Sequence, residues 1–192
     1  LGDRAGHPNN YVFTPDAVTP DGCIYGIWTT DKAYGNIRQI NQFLDMQRKY
    51  STFPEEKNLR WEAQARFFRG FVYFQLAKRH GGVILFDKLP ESNDKARSSA
   101  EETWEFIYKD LKFAAENLPD QWDTENKGRV TKGAAYAMLS RVMLYAERWK
   151  DAYDAAGEVE RLNLYDLMDK YADAWKGNNK EAILEFAYDK NA

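Results

Sequence analysis

The sequence predicts a mostly α fold of stacked helix pairs (an α/α superhelix) with long loops and at most short strands. Two observations lead there. The same helix-pair spacing occurs twice between residues 60 and 164, and apolar residues recur at helical spacing wherever Pro and Gly are absent. In the second copy, Tyr136, Leu139, Ser140 and Met143 share one helical face, followed by Ala152, Ala156, Val159 and Leu164. In the first copy, Gly70 and Tyr73 keep the small and aromatic positions, Ile107, Leu111 and Ala114 keep those of the second helix, and Pro119 closes the unit. Small residues at Gly70, Ala114, Ser140, Ala152 and Ala156 are expected to let helices approach closely.

These offsets match the tetratricopeptide template, with an insertion of roughly 25 residues between Tyr73 and Ile107 relative to the repeat length. Residues 1–30 read as loop, broken by Gly2, Gly6, Pro8, Pro15, Pro20 and Gly22. A helix is expected from Asp31 to about Tyr50, with Tyr34, Ile37, Ile40, Asn41 and Leu44 on one face. Pro54 leads into a long helix from Glu55 to His80, whose stripe reads Trp61, Ala65, Phe68, Val72 and Leu76; Gly81-Gly82 stops it. Val83 to Phe86 is a short extended run, and Pro90 to Ser98 a polar loop. Ser99-Ala100-Glu101-Glu102 is a capping box for a helix reaching Asn117. Thr131 caps the next helix, which runs to about Glu147; Arg148-Trp149 turns into another, ending near Leu162; Tyr171 to Trp175 makes a short last one. Residues 182–188 alternate like a strand. With no low-complexity linker, residues 1–192 read as one domain: a loop-rich segment over 1–30, a helical repeat scaffold over 31–176 and a terminal strand-like run. That run has no partner and the chain starts without Met, so a piece of a larger protein is expected.

Composition narrows the function. A formal charge of -3 argues against a nucleic-acid surface, and no run of about 18 apolar residues spans a membrane. Residues 1–15 lack the apolar stretch of a signal peptide. Cys23 is the single cysteine, so no internal disulfide forms. Aromatics make up 15% of the chain, enough that some must lie at the surface.

Four segments in order carry a family resemblance. Arg60-Trp61-Glu62-Ala63-Gln64-Ala65-Arg66-Phe67-Phe68-Arg69-Gly70, continued by Tyr73-Phe74 and Arg79-His80-Gly81-Gly82-Val83, resembles a stretch of the SusD/RagB family. Gly128-Arg129-Val130-Thr131-Lys132-Gly133-Ala134-Ala135 before Arg141-Val142 is similar to a second stretch. Tyr171-Ala172-Asp173-Ala174-Trp175 with Asn178 to Phe186 matches a third. Trp28 followed by Tyr34, Ile37, Asn41 and Leu44 matches a fourth. The resemblance implies a helical, non-enzymatic protein, lipid-anchored on the outer face of the outer membrane in Bacteroidetes-type bacteria. It implies capture of an oligosaccharide or polysaccharide (in some branches a peptide) and pairing with a TonB-dependent, SusC-like transporter. It also implies members of roughly 500 residues with a loop-rich C-terminal part. Cys23 follows Thr19-Pro20-Asp21-Gly22 rather than an apolar segment, so it does not read as the lipid-bearing residue.

Sugar rings present apolar faces and a rim of hydroxyls, so a glycan site needs aromatic platforms beside polar groups. The N-terminal loops supply them: Trp28, Tyr25, Tyr11, Asp31 and Asn10 are the candidate ligand residues. The competing reading of Trp28 is packing against the helix starting at Asp31. Trp61, Trp104, Trp149 and Trp175 read as packing residues and Trp122 as a loop anchor. Arg66 and Arg69 are flanked by large apolar residues, which favours contact with a carboxylate of a neighbouring repeat over simple i, i+4 pairing of Arg66 with Glu62.

No catalytic or metal-binding residue and no cofactor is expected. The two histidines, His7 and His80, form no metal-ligand spacing with Cys23, and His80 suits the C-terminal end of a helix dipole. No pair of carboxylates is singled out as a glycosidase acid and base. The alternative of a different class is a tetratricopeptide-type adaptor binding peptide or protein on its concave face. Such an adaptor needs neither the 74–98 insertion nor the N-terminal aromatic loops.

Overall fold

The structure, a computed structural model, describes residues 30–90, 94–177 and 179–185; of Thr30 and Asp31 only the backbone is described. Among these residues there are six α-helices and no strand: α1 Thr30–Tyr50, α2 Glu55–His80, α3 Ala100–Asn117, α4 Lys132–Tyr145, α5 Trp149–Arg161 and α6 Tyr171–Ala174. Each of the first four packs on the next, so α2–α3 and α4–α5 form two stacked pairs with α1 against the first. This is a tetratricopeptide-like array.

The ends of the helices have local causes. The Ser99 hydroxyl accepts the Glu102 N–H, and the Glu102 carboxylate accepts the Ser99 N–H, so the capping box of α3 is complete. Thr131 Oγ1 accepts the Ala134 N–H at the start of α4. Carboxylates at Glu55 and Glu56 open α2, and Lys78, Arg79 and His80 close it, in the sense its dipole favours. Gly81, at φ 66°, returns its N–H to the Ala77 carbonyl and ends the helix.

The core joins all five long helices: Ile37, Phe67, Tyr73, Leu76, Ile107, Leu111, Val142, Met143 and Ala152 are almost wholly buried. Gly70 sets the closeness of α2 to α3, because a Cβ there would sit 3.1 Å from Leu111 Cγ. Helix α2 departs from the expected stripe. Its buried residues are Ala63, Phe67, Arg69, Gly70, Tyr73, Phe74, Leu76 and Ala77, while Phe68 is 44% exposed. Lying between α1 and α3, α2 is apolar on more than one side, so period alone does not select its inner face.

Three further expectations change. On α5 the buried small residues are Ala152 and Ala155, and Ala156 faces solvent. Trp61 and Trp104 do pack, against Phe53 and Phe74, but Trp149 and Trp175 are 63% and 75% exposed. Both stand at element ends, where no neighbouring helix covers them. Residues 182–185 of the strand-like run form no strand and bend at Ile183 and Leu184; 186–188 lie outside the described residues. Trp122 is a loop anchor, its indole N–H donating to the Val130 carbonyl at 2.8 Å. The loop after α6 is tied by Asn179, whose amide donates to the Asp173 and Ala174 carbonyls at the end of α6.

Candidate functional site

The insertion after α2 contains a segment, residues 83–88, that is free of helix, bends at 87–88 and has no strand beside it among the described residues. The Val83 carbonyl accepts the Ser98 N–H at 2.9 Å, and other backbone polar groups of the segment are taken up by side chains instead. The Tyr34 hydroxyl donates to the Ile84 carbonyl at 2.9 Å and accepts the Ile84 N–H at 3.0 Å. The Tyr73 hydroxyl accepts the Phe86 N–H at 2.7 Å. Asn41 Nδ2 donates to the Phe86 and Lys88 carbonyls, and Arg69 Nη1 donates to the Asp87 carbonyl at 2.9 Å. Helices α1 and α2 thus hold this segment as a neighbouring strand would.

Behind it lies a buried charge cluster. Arg69 forms a two-pronged pair with Asp110, Nε to Oδ2 at 2.7 Å and Nη2 to Oδ1 at 2.8 Å, and its Nη1 reaches Asn41 Oδ1 at 2.7 Å. Arg66 Nε adds a second cation on Asp110 Oδ1 at 2.9 Å. Burial opposes the charge of Arg69, but its bonds to Asp110 outweigh that, and its pKa is raised. The expected buried contact of Arg66 and Arg69 with a carboxylate exists, and Arg66 also pairs with Glu62 at 3.7 Å. The carboxylate, however, lies on α3, the second helix of the same pair rather than of a neighbouring repeat.

In front of the segment, between it and α1, is an open cleft of about 300 Å³ lined by Tyr34, Gly35, Ile37, Arg38, Asn41, Phe86 and Pro90. Tyr34 and Phe86 meet edge to face at 5.9 Å and form its aromatic wall. Burial pushes the Tyr34 hydroxyl up from its ordinary pKa, so it stays protonated and keeps both its bonds near neutral pH. A wider groove of about 710 Å³ lies beside Trp104 and Arg148, but its polar groups serve one another: Glu105 pairs with Arg148 at 2.8 Å and Glu102 closes the α3 cap.

Of the candidate ligand residues, Trp28, Tyr25, Tyr11 and Asn10 lie outside the described residues. Asp31 falls in the first turn of α1, one turn before Gly35. The sequence places Tyr34 and Asn41 on one face of α1 and singles out neither Arg38 nor Phe86 as a ligand residue. The available signal was Gly35, a helix-weakening residue inside an otherwise regular helix.

A helical repeat scaffold that fixes an inserted loop beside an aromatic-walled cleft has the build of a binding protein. The family model described as "Starch-binding associating with outer membrane" matches residues 6–144, and the chain belongs to this SusD-like family. It is 32% identical over 139 residues to a SusD-like protein of Bacteroides ovatus, covering 64% of this chain and 25% of that one. It superposes on a SusD-like protein of Bacteroides fragilis with a TM-score of 0.79 at 38% identity, over 84% of this chain and 33% of that one. A laminarin-binding SusD-like protein superposes with a TM-score of 0.72 at 26% identity, over 80% of this chain and 35% of that one. The chain therefore spans between a quarter and roughly a third of the length of these relatives.

Proposed function

We propose that this chain is the helical part of a non-catalytic, surface-exposed glycan-binding protein of the outer membrane. In this reading it captures oligosaccharides for a partner TonB-dependent, SusC-like transporter. Family membership supports the class, and the laminarin-binding relative supports a saccharide ligand. The observation that carries the reading in this chain is Gly35. It is exposed within α1, and a Cβ built on it would meet nothing within 4 Å. A helical Gly costs about 1 kcal/mol relative to Ala. The packing of the described residues gives no reason for that cost, whereas a ring lying against Tyr34 and Phe86 would need the open floor. Trp28, Tyr25, Tyr11, Asp31 and Asn10 are proposed to extend this surface from the N-terminal side.

The insertion also weighs against a peptide adaptor, because it is the insertion that forms one wall of the cleft. Titration calorimetry with a panel of neutral and acidic oligosaccharides, laminari-oligosaccharides included, tests the proposal. Gly35→Leu is expected to abolish the heat while raising helix stability by about 0.5–1 kcal/mol. Trp28→Ala is expected to weaken binding without a large change in stability. Absence of heat with every saccharide would overturn the reading.

A further inference from the structure

The cleft has an unusual polar inventory. Asn41 spends its amide N–H groups on the Phe86 and Lys88 carbonyls and its oxygen on Arg69. The Tyr34 hydroxyl both donates to and accepts from Ile84. Among the described lining residues, the one side-chain polar group left over is the guanidinium of Arg38, which is exposed on α1 and has no partner among the described residues. Among the described lining residues it is also the only charged one, and none of them is a carboxylate.

Its isolation is written in the helix. Arg48, Arg60 and Arg66 each pair with Glu56 or Glu62, and Arg69 with Asp110. The positions three and four residues from Arg38 are Tyr34, Gly35, Asn41 and Gln42, and none is acidic.

A sugar hydroxyl is both donor and acceptor, so a site for neutral sugar answers it with donors and acceptors together. Arg38 offers five N–H donors and no acceptor. Such a group is matched by one that only accepts and carries negative charge. We propose that the cleft selects an oligosaccharide bearing an anionic group, a carboxylate or a sulfate, and that Arg38 receives that group while the sugar lies against Tyr34 and Phe86 over Gly35. This rests on the glycan-capture reading and adds a ligand class to it.

The test is calorimetry on the protein with three probes: an oligouronate, the same oligomer with its carboxyls reduced to alcohols, and a sulfated neutral oligosaccharide. At least one anionic probe is expected to bind about tenfold or more tightly than the reduced oligomer, as one charge-assisted pair supplies. Which of the two does so tells carboxylate from sulfate. The advantage is expected to vanish in Arg38→Ala, to survive in part in Arg38→Lys, and to shrink as salt is raised. Arg38 is exposed, so these variants should fold like the parent. Equal or tighter binding of the reduced oligomer overturns the proposal and leaves glycan capture standing. So does an anionic preference that Arg38→Ala does not change. No binding of any of the three probes overturns the anionic selection; if the neutral panel is silent as well, glycan capture falls with it.

Discussion

Asp110 is the residue on which the site's geometry rests. Two arginines share its carboxylate, and Arg69 passes the constraint to Asn41 and the Asp87 carbonyl. Removing one partner of a buried pair leaves charge without compensation, which costs about 3–5 kcal/mol. Asp110→Ala is therefore expected to lower the unfolding free energy obtained from urea titration by that amount, with Arg69→Met/Asp110→Leu recovering part of the loss. A loss below about 1 kcal/mol would mean that water reaches the cluster. The contact itself was legible in the sequence, because Arg66 and Arg69 stand among Phe67, Phe68 and Phe74 and need an anion nearby. Its partner was not, since nothing in the order of residues shows which carboxylate of α3 turns inward. The exchange of Ala156 for Ala155 on α5 has the same cause: three or four residues from Ala152 are both helical steps, and only the docking angle chooses between them.

At the scale of the element, the helices were readable because their ends are fixed locally, by Ser99 with Glu102, by Thr131 and by Gly81. Ser99→Ala is expected to cost about 0.5–2 kcal/mol, seen in thermal unfolding of the whole chain. Residues 83–86 were readable as extended but not as a wall of a cleft, because their backbone is held by Tyr34, Asn41 and Tyr73, between 13 and 50 residues away for the contacts to Ile84 and Phe86. That arrangement makes a specific prediction for amide exchange. The Ile84 and Phe86 amides, bonded to tyrosine hydroxyls, should exchange slowly although they lie in neither helix nor sheet. Tyr34→Phe should speed Ile84 while leaving Phe86 protected. Equal, fast exchange at both positions in the parent protein would show that the segment is not held. The candidate residues at Trp28 and before it lie outside the described residues, and of Asp31 only the backbone is described, so what was legible of the cleft is the α1 face with Tyr34 and Asn41, with Gly35 as the unused clue.

For the whole molecule, the tyrosines that clamp this segment bind α1, α2 and the insertion into one titrating unit. Burial is the main cause that raises Tyr34 and Tyr73 above the ordinary phenol value of 10.0, and it exceeds the opposing effects of their bonds to Ile84 and Phe86. Below pH 10 both phenols are protonated in the folded and the unfolded chain alike, and their contribution to stability is complete. As pH rises above 10, the unfolded chain releases these protons while the folded one retains them, so unfolding becomes progressively more favourable. The protein is therefore expected to unfold cooperatively in alkali, with two phenols ionising only as helical circular dichroism is lost. Tyr73→Phe separates this from general alkaline damage. It should be less stable near neutrality, by about 1–3 kcal/mol, because the buried Phe86 N–H loses its acceptor. It should also lose less stability than the parent between pH 9 and 12, because one of the two late-titrating protons is gone. Phenolate absorbance that is complete near pH 10 with the helical signal intact would show that these hydroxyls are open to water, and that the cleft wall they support is not fixed.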